Sequence, residues 1–180
     1  VRVPHSNVIG AVNDGWHVAV TTLMNERKTI GSVTSEGPST MPARLAELAN
    51  RRNTYGPADR QQITDVHIRG ELLRFLGLRT MTAAMQGRRP APEGSVAKLA
   101  SSQLNVDTGN LGLALLGAAG MAVDHEDRRW VQRFLWGPGH RLGGGTDEVN
   151  RNIIAERVLG LPGEPRDDTV PWRDIQRSAR

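Results

Sequence analysis

The stretch Asp59 to Met85, DRQQITDVHIRGELLRFLGLRTMTAAM, decides the fold class. Ile63, Val66, Leu72, Leu73, Leu76, Met81 and Met85 supply an apolar side at helical spacing. At 1.5 Å per residue such a helix is roughly 40 Å long. Gly56-Pro57 marks the turn before it, and Gly87 to Pro92 the loop after it. Upstream, Pro42 sits in the first turn of a shorter helix over Ala43 to Asn50, separated by Gly37-Pro38-Ser39-Thr40 from an earlier one. That first helix runs from Gly15 to about Ser32, with Trp16, Ala19, Val20 and Leu23 at i, i+3, i+4 and i+7 and Asn13 or Asp14 as N-cap. Long helices joined by short loops form an antiparallel bundle.

Downstream, Glu93-Gly94-Ser95 opens another helix through Leu99, Leu104, Leu111 and Leu115, which ends in Gly117-Ala118-Ala119-Gly120. A short segment around Trp130 to Leu135 stops at Gly137-Pro138-Gly139. In the last helix Thr146 is a natural N-cap, Asp147 and Glu148 suit the positive end of the dipole, and Gly160 with Pro162 stops it. At the front, Val1-Arg2-Val3-Pro4 alternates like a strand and turns at Asn7 and Gly10. Twelve residues make no sheet alone, so they read as the end of one built by further chain. The expected class is all-α, an antiparallel helical bundle preceded by a short β-strand remnant. Residues 1–12 are the strand end and linker, 13–162 the bundle and 163–180 a polar, proline-broken tail.

Composition removes several classes. The 180 residues carry no cysteine, which excludes disulfides, a thiol nucleophile and thiolate metal sites. The longest uncharged, largely apolar run, Thr108 to Val123, has 16 residues, short of the roughly 20 that span a bilayer. The opening VRVPHSNVIG lacks the basic-then-apolar order of a signal peptide, and a cytoplasmic location is expected. Of 23 basic residues only Lys28 and Lys98 are lysine. A formal net charge of +4, with acids interleaved and no aromatics among the arginine pairs, reads as solvated surface and argues against a nucleic-acid partner.

Two stretches carry possible chemistry. In Leu142-Gly143-Gly144-Gly145-Thr146-Asp147-Glu148, three consecutive glycines enter a helix start. Glycine runs cost backbone entropy, so a structure that keeps them uses close approach or positive φ. The alternatives are a surface for a polar cofactor edge or a plain hinge before a capped helix. The stretch is neither a P-loop nor a dinucleotide fingerprint. In Asn25-Glu26-Arg27-Lys28, Glu26 lies seven residues after Ala19, near the inward side of the first helix. Taken alone it is a surface ion pair contributing little; held beside Arg27 and buried, it is a general base. Ser95-Val96-Ala97-Lys98 matches Ser-x-x-Lys without its companion motifs, so Ser95 is a helix cap. The five histidines show no metal-ligand spacing, and no metal site is expected.

The segment Gly143 to Pro162, GGGTDEVNRNIIAERVLGLP, resembles the C-terminal signature of acyl-CoA dehydrogenases, particularly the actinobacterial type. Val1-Arg2-Val3-Pro4, Asn7, Ile9-Gly10, Gly15-Trp16 and Glu26-Arg27 resemble that family's passage from its middle β-domain into its C-terminal helices. The resemblance runs from residue 1 to about residue 163 and implies the last part of a longer, three-domain enzyme, inactive on its own. It implies FAD as cofactor, an acyl-CoA thioester as substrate and α,β-dehydrogenation to 2-enoyl-CoA. It further implies an electron-transferring flavoprotein as acceptor and a homo-oligomer (dimer or tetramer) or hetero-tetramer.

Carried over residue by residue, the resemblance makes Glu26 the base and places Arg27 near the thioester or CoA. Thr146 and Glu148 match flavin-touching positions, with Gly144 and Gly145 in the same turn. Many members carry their base where Gly144 stands here. The Gln-x-x-Gly-Gly-x-Gly element appears as Ala114-Leu115-Leu116-Gly117-Ala118-Ala119-Gly120, so Ala114 replaces its Gln and Gly117 offers backbone contacts only. The Arg-x-x-Phe-Gly element is matched by Arg52-Asn53-Thr54-Tyr55-Gly56, which assigns Arg52 to the FAD diphosphate. These losses leave open a second reading, a non-catalytic assembly subunit that completes a partner's flavin site.

Overall fold

A computed structural model describes residues 1–32, 40–88, 92–122 and 126–163, except the side chains of Met24 and residues 27–32. Among the described residues six α-helices form the bundle: α1 (Gly15–Ser32), α2 (Met41–Arg51), α3 (Pro57–Met85), α4 (Glu93–Leu116), α5 (Arg128–Leu142) and α6 (Asp147–Ile153). Single 3-10 turns lie at His5–Asn7 and Gly117–Met121, and a π-helical turn, Ile154–Val158, continues α6.

The helix at α4 is the hub, packing against all five others. Its own residues explain this. Leu104, Leu111, Leu115 and Leu116 are buried, and between them Gly109 and Gly112 let α5 approach closely. A Cβ on Gly109 would lie 3.1 Å from the Phe134 backbone, and one on Gly112 would lie 2.5 Å from the Trp130 ring. Met41, Leu45, Leu48 and Ala49 of α2, Ile63 and Val66 of α3, and Trp130 and Val131 of α5 complete the core.

The helices of the sequence reading are present, with differences at particular places. Residues 1–12 form no strand: they are exposed, and a strand needs a neighbour to pair with. The segment read as ending at Gly137-Pro138-Gly139 continues through Pro138 to Leu142. Burial of Gly137 against Val106 of α4 outweighs the missing proline N–H. Ser95 is no cap; it is buried inside α4, whose N-cap is Pro92. On α3, Ile63 and Val66 are buried and Leu73 packs against the core, whereas Leu72, Met81 and Met85 are exposed. Among the described α1 side chains only Val18 is partly covered. Trp16, Ala19, Val20 and Leu23, the face expected to point inward, are exposed because nothing among the described residues covers them. The tail beyond Gly163 lies outside the described residues.

Candidate functional site

The glycine stretch forms a tight turn between α5 and α6. Gly143 caps α5, its N–H donating to Gly139 O at 2.9 Å. Gly144 and Gly145 then take φ of 69° and 93°, a region that a side chain disfavours, so both need to be glycine. Thr146 is the N-cap of α6, as its sequence position implied: its Oγ1 accepts from Val149 N–H at 3.2 Å. Asn150, fully buried, donates from Nδ2 to Gly145 O and Thr146 O, both at 2.9 Å. Glu148 is exposed and reaches Arg151 at 3.4 Å.

Behind this turn lies a polar cluster that the sequence reading missed. Asp147 is 1% exposed. One carboxylate oxygen accepts from Lys98 Nζ at 3.2 Å and Ser102 Oγ at 2.9 Å, and the other from Arg141 Nε at 2.7 Å. Burial raises its pKa, but the hydrogen bonds from Arg141, Ser102 and Lys98 prevail and hold it below the ordinary carboxylate value. The His140 pKa is also lowered from its usual value, by burial and by the charges of Arg133 and Lys98, which favours a neutral imidazole. Asp147 had read as a dipole complement; its larger role is as a buried anchor. The available signal was Lys98, one of only two lysines in the chain and the single basic residue of α4.

Arg52 lies at the C-cap of α2, where its Nη2 is 3.3 Å from Asp127 Oδ2. Arg51 binds the other oxygen of Asp127 at 2.6 Å and Glu126 at 2.7 Å, so Asp127, 2% exposed, ties α2 to the start of α5. Burial again raises the Asp127 pKa, and the two arginines outweigh it to leave it lowered. Asn50, Asn53, Thr54, Tyr55, Gly56 and Arg60 line a polar cleft of about 570 Å³ alongside. The Arg60 guanidinium stacks over Tyr55, 5.2 Å from the ring centroid.

Gly117 ends α4 with φ 56° and ψ −132°. Glu26 stands on α1 with an exposed side chain, not on an inward face of this bundle. The side chain of Arg27 lies outside the described residues, as does His125. Gly144, Gly145, Thr146 and Glu148 therefore share one turn, while Glu26, Arg52 and Gly117 sit on α1 and at the ends of α2 and α4. Among the described residues, no three His, Cys, Asp or Glu side chains group as metal ligands, and no helix is long and apolar enough to cross a membrane.

Comparison with known proteins agrees with this architecture. The family model described as "Acyl-CoA dehydrogenase, C-terminal domain" matches residues 13–159. Acyl-CoA dehydrogenase IpdE1 of Mycobacterium tuberculosis is 37% identical over 171 residues, covering 88% of this chain and 41% of the relative. Acyl-CoA dehydrogenase FadE34 of the same organism is 30% identical over 162 residues, covering 90% and 22%. The chain thus spans less than half the length of these relatives. Among solved structures, the ChsE4-ChsE5 complex from Mycobacterium tuberculosis is similar, with a TM-score of 0.69, 26% identity, and coverage of 91% of this chain and 44% of that one. The Tcur3481-Tcur3483 steroid ACAD shares the fold at a TM-score of 0.73 and 24% identity, with the same coverages. With its helical bundle, its left-handed glycine turn and a family match over residues 13–159, this chain belongs to the acyl-CoA dehydrogenase family, in the part that forms the C-terminal helical domain.

Proposed function

We propose that this chain is the C-terminal part of a cytoplasmic, FAD-dependent acyl-CoA dehydrogenase in which Glu26 removes the α-proton of an acyl-CoA thioester. One observation carries the reading: among the described residues, a carboxylate stands at the edge of an exposed apolar helix face. Trp16, Val20 and Leu23 are exposed along α1 at i, i+4 and i+7, and Glu26 follows Leu23 by three residues. An acyl chain needs an apolar wall, and its α-carbon needs a base beside that wall. Covering the face with a bound acyl chain would bring the carboxylate beside the α-carbon, where a general base has to stand.

The residues present fit a flavin. Gly144 is buried, but the left-handed Gly145 is half-buried and presents backbone without a side chain, bordered by half-buried Thr146 and exposed Glu148. Gly144, Gly145, Thr146 and Glu148 would hold the cofactor at the start of α6, with Gly117 and Arg52 contributing from α4 and α2. When bound, FAD supplies the acceptor for the β-hydride, which makes the product a 2-enoyl-CoA. Glu26 takes the proton, and Arg27 is assigned to the thioester or CoA by the family resemblance of the Glu26-Arg27 pair.

In this account residues 1–12 end a β-domain, 13–162 are the bundle and 163–180 a tail. The 180 residues alone are inactive, because the other wall of the flavin site belongs to the β-domain. The acceptor of the reduced enzyme is an electron-transferring flavoprotein, and the full-length protein is an oligomer.

Ala114 and Gly144, together with similarity to a two-chain complex, favour one second reading: an assembly subunit that completes a partner's flavin site. Purification of the full-length protein without a partner separates the two. A yellow homo-oligomer that reduces an acceptor when given acyl-CoA supports the dehydrogenase. A colourless protein that gains flavin only with a second chain supports the subunit.

A further inference from the structure

Asp147, Lys98, Ser102 and Asn150 lie behind the glycine turn, and the proposed chemistry uses none of them. We infer that Asp147, gripped by Lys98 and Ser102, is a positioning residue that fixes the shape of the 143–146 turn, with Asn150 as its second clamp. The claim rests on the flavin reading only for the ligand that the turn receives.

A turn with two consecutive left-handed glycines does not fix its own shape, because those residues have the widest backbone freedom and no side chains to pack. The shape has to come from neighbours. Lys98 and Ser102 are four residues apart on α4, a spacing that puts both on one helix face, and both meet the same oxygen of Asp147. The second oxygen takes Arg141, which lies two residues before Gly143. Lys98 Nζ also donates to Arg141 O at 3.4 Å. One buried carboxylate thereby ties the residue before the turn, the residue after it and α4 together. From inside α6, Asn150 holds the carbonyls of Gly145 and Thr146.

Stability alone does not account for this arrangement. Lys98 and Asp147 are each 1% exposed, and a fully buried ion pair is a weaker source of stability than apolar packing of the same volume. The buried Asn150 Oδ1 has no hydrogen-bond partner among the described residues, a cost that an apolar residue would avoid. Both residues restrain the turn's backbone, and apolar replacements could not.

The test uses the full-length protein with Asp147→Asn, Ser102→Ala and, as a destabilised reference far from the turn, Leu45→Ala in the α2 core. Two quantities are read: hydrogen exchange of the 142–150 segment in the apoprotein, and FAD affinity by quenching of flavin fluorescence. Asp147→Asn should speed exchange of 142–150 by about tenfold or more through local opening, with α2 and α3 protected as before, and should weaken FAD binding by a similar factor. Ser102→Ala should move both in the same direction by less, and Leu45→Ala should lower Tm while leaving both unchanged. Unaltered exchange at 142–150 in Asp147→Asn, or an equal effect of Leu45→Ala, overturns the assignment. If Asp147→Asn does not fold, Ser102→Ala against Leu45→Ala decides by the same criteria. A wild-type protein that takes up no FAD refutes the flavin reading, and the exchange measurement still decides the positioning role.

Discussion

Trp130 packs its ring directly over the backbone of Gly112, so close that a Cβ there would lie 2.5 Å from the ring. Trp130 is 2% exposed and cannot move away without displacing its neighbours on α4 and α5. Gly112→Ala should therefore lower stability by about 1–3 kcal/mol, the usual range for overpacking, even though alanine is the better helix former. Thermal unfolding checks this; an unchanged or raised Tm would show that the pair is looser than the structure has it.

The start of α6 makes a second prediction. Thr146→Ala removes the acceptor for Val149 N–H and should cost about 1 kcal/mol in chemical denaturation. Gly145→Ala forces a side chain into φ 93° and should cost more than about 1 kcal/mol. Thr146→Ser keeps the hydroxyl and should stay close to wild type.

Acid should weaken the bundle through its buried carboxylates. Asp147 and Asp127 both have pKa values lowered in the folded protein, since hydrogen bonds and charge attraction from their cationic partners outweigh burial. Their stabilisation is complete above the unfolded value, about 4, and is lost as pH falls through the lowered folded values. Asp147→Asn mimics the neutral form, so its deficit in unfolding free energy should be largest at pH 7 and shrink toward pH 3. A deficit independent of pH would mean that the charge of Asp147 contributes nothing.

How much of this was legible in the sequence depended on distance along the chain. The helices showed because their signals are local: the 3.6-residue apolar period of 59–85, Pro42 in a first turn, Thr146 before Asp147-Glu148. The glycine turn also showed, since three glycines before a capped helix leave few alternatives. The Lys98–Asp147 pair did not, because its members are 49 residues apart and each has an ordinary local explanation. The same holds for Asp127 with Arg51 and Arg52, 76 and 75 residues apart, where the arginine pair looked like solvated surface. The inward direction assigned to Glu26 followed from helical spacing, which fixes which residues share a face but not what covers that face. Among the described residues nothing does.

The exposure of that face leads to the central claim, that Glu26 is the base. The most direct measurement is steady-state turnover of the full-length protein with acyl-CoA, wild type against Glu26→Gln, with flavin content and Tm recorded for both. The account predicts that kcat falls by roughly 10²–10⁴-fold, the ordinary contribution of a positioned general base, while FAD content and Tm stay at wild-type levels. Turnover retained in Glu26→Gln at the wild-type rate would contradict it and move the search for the base to another residue.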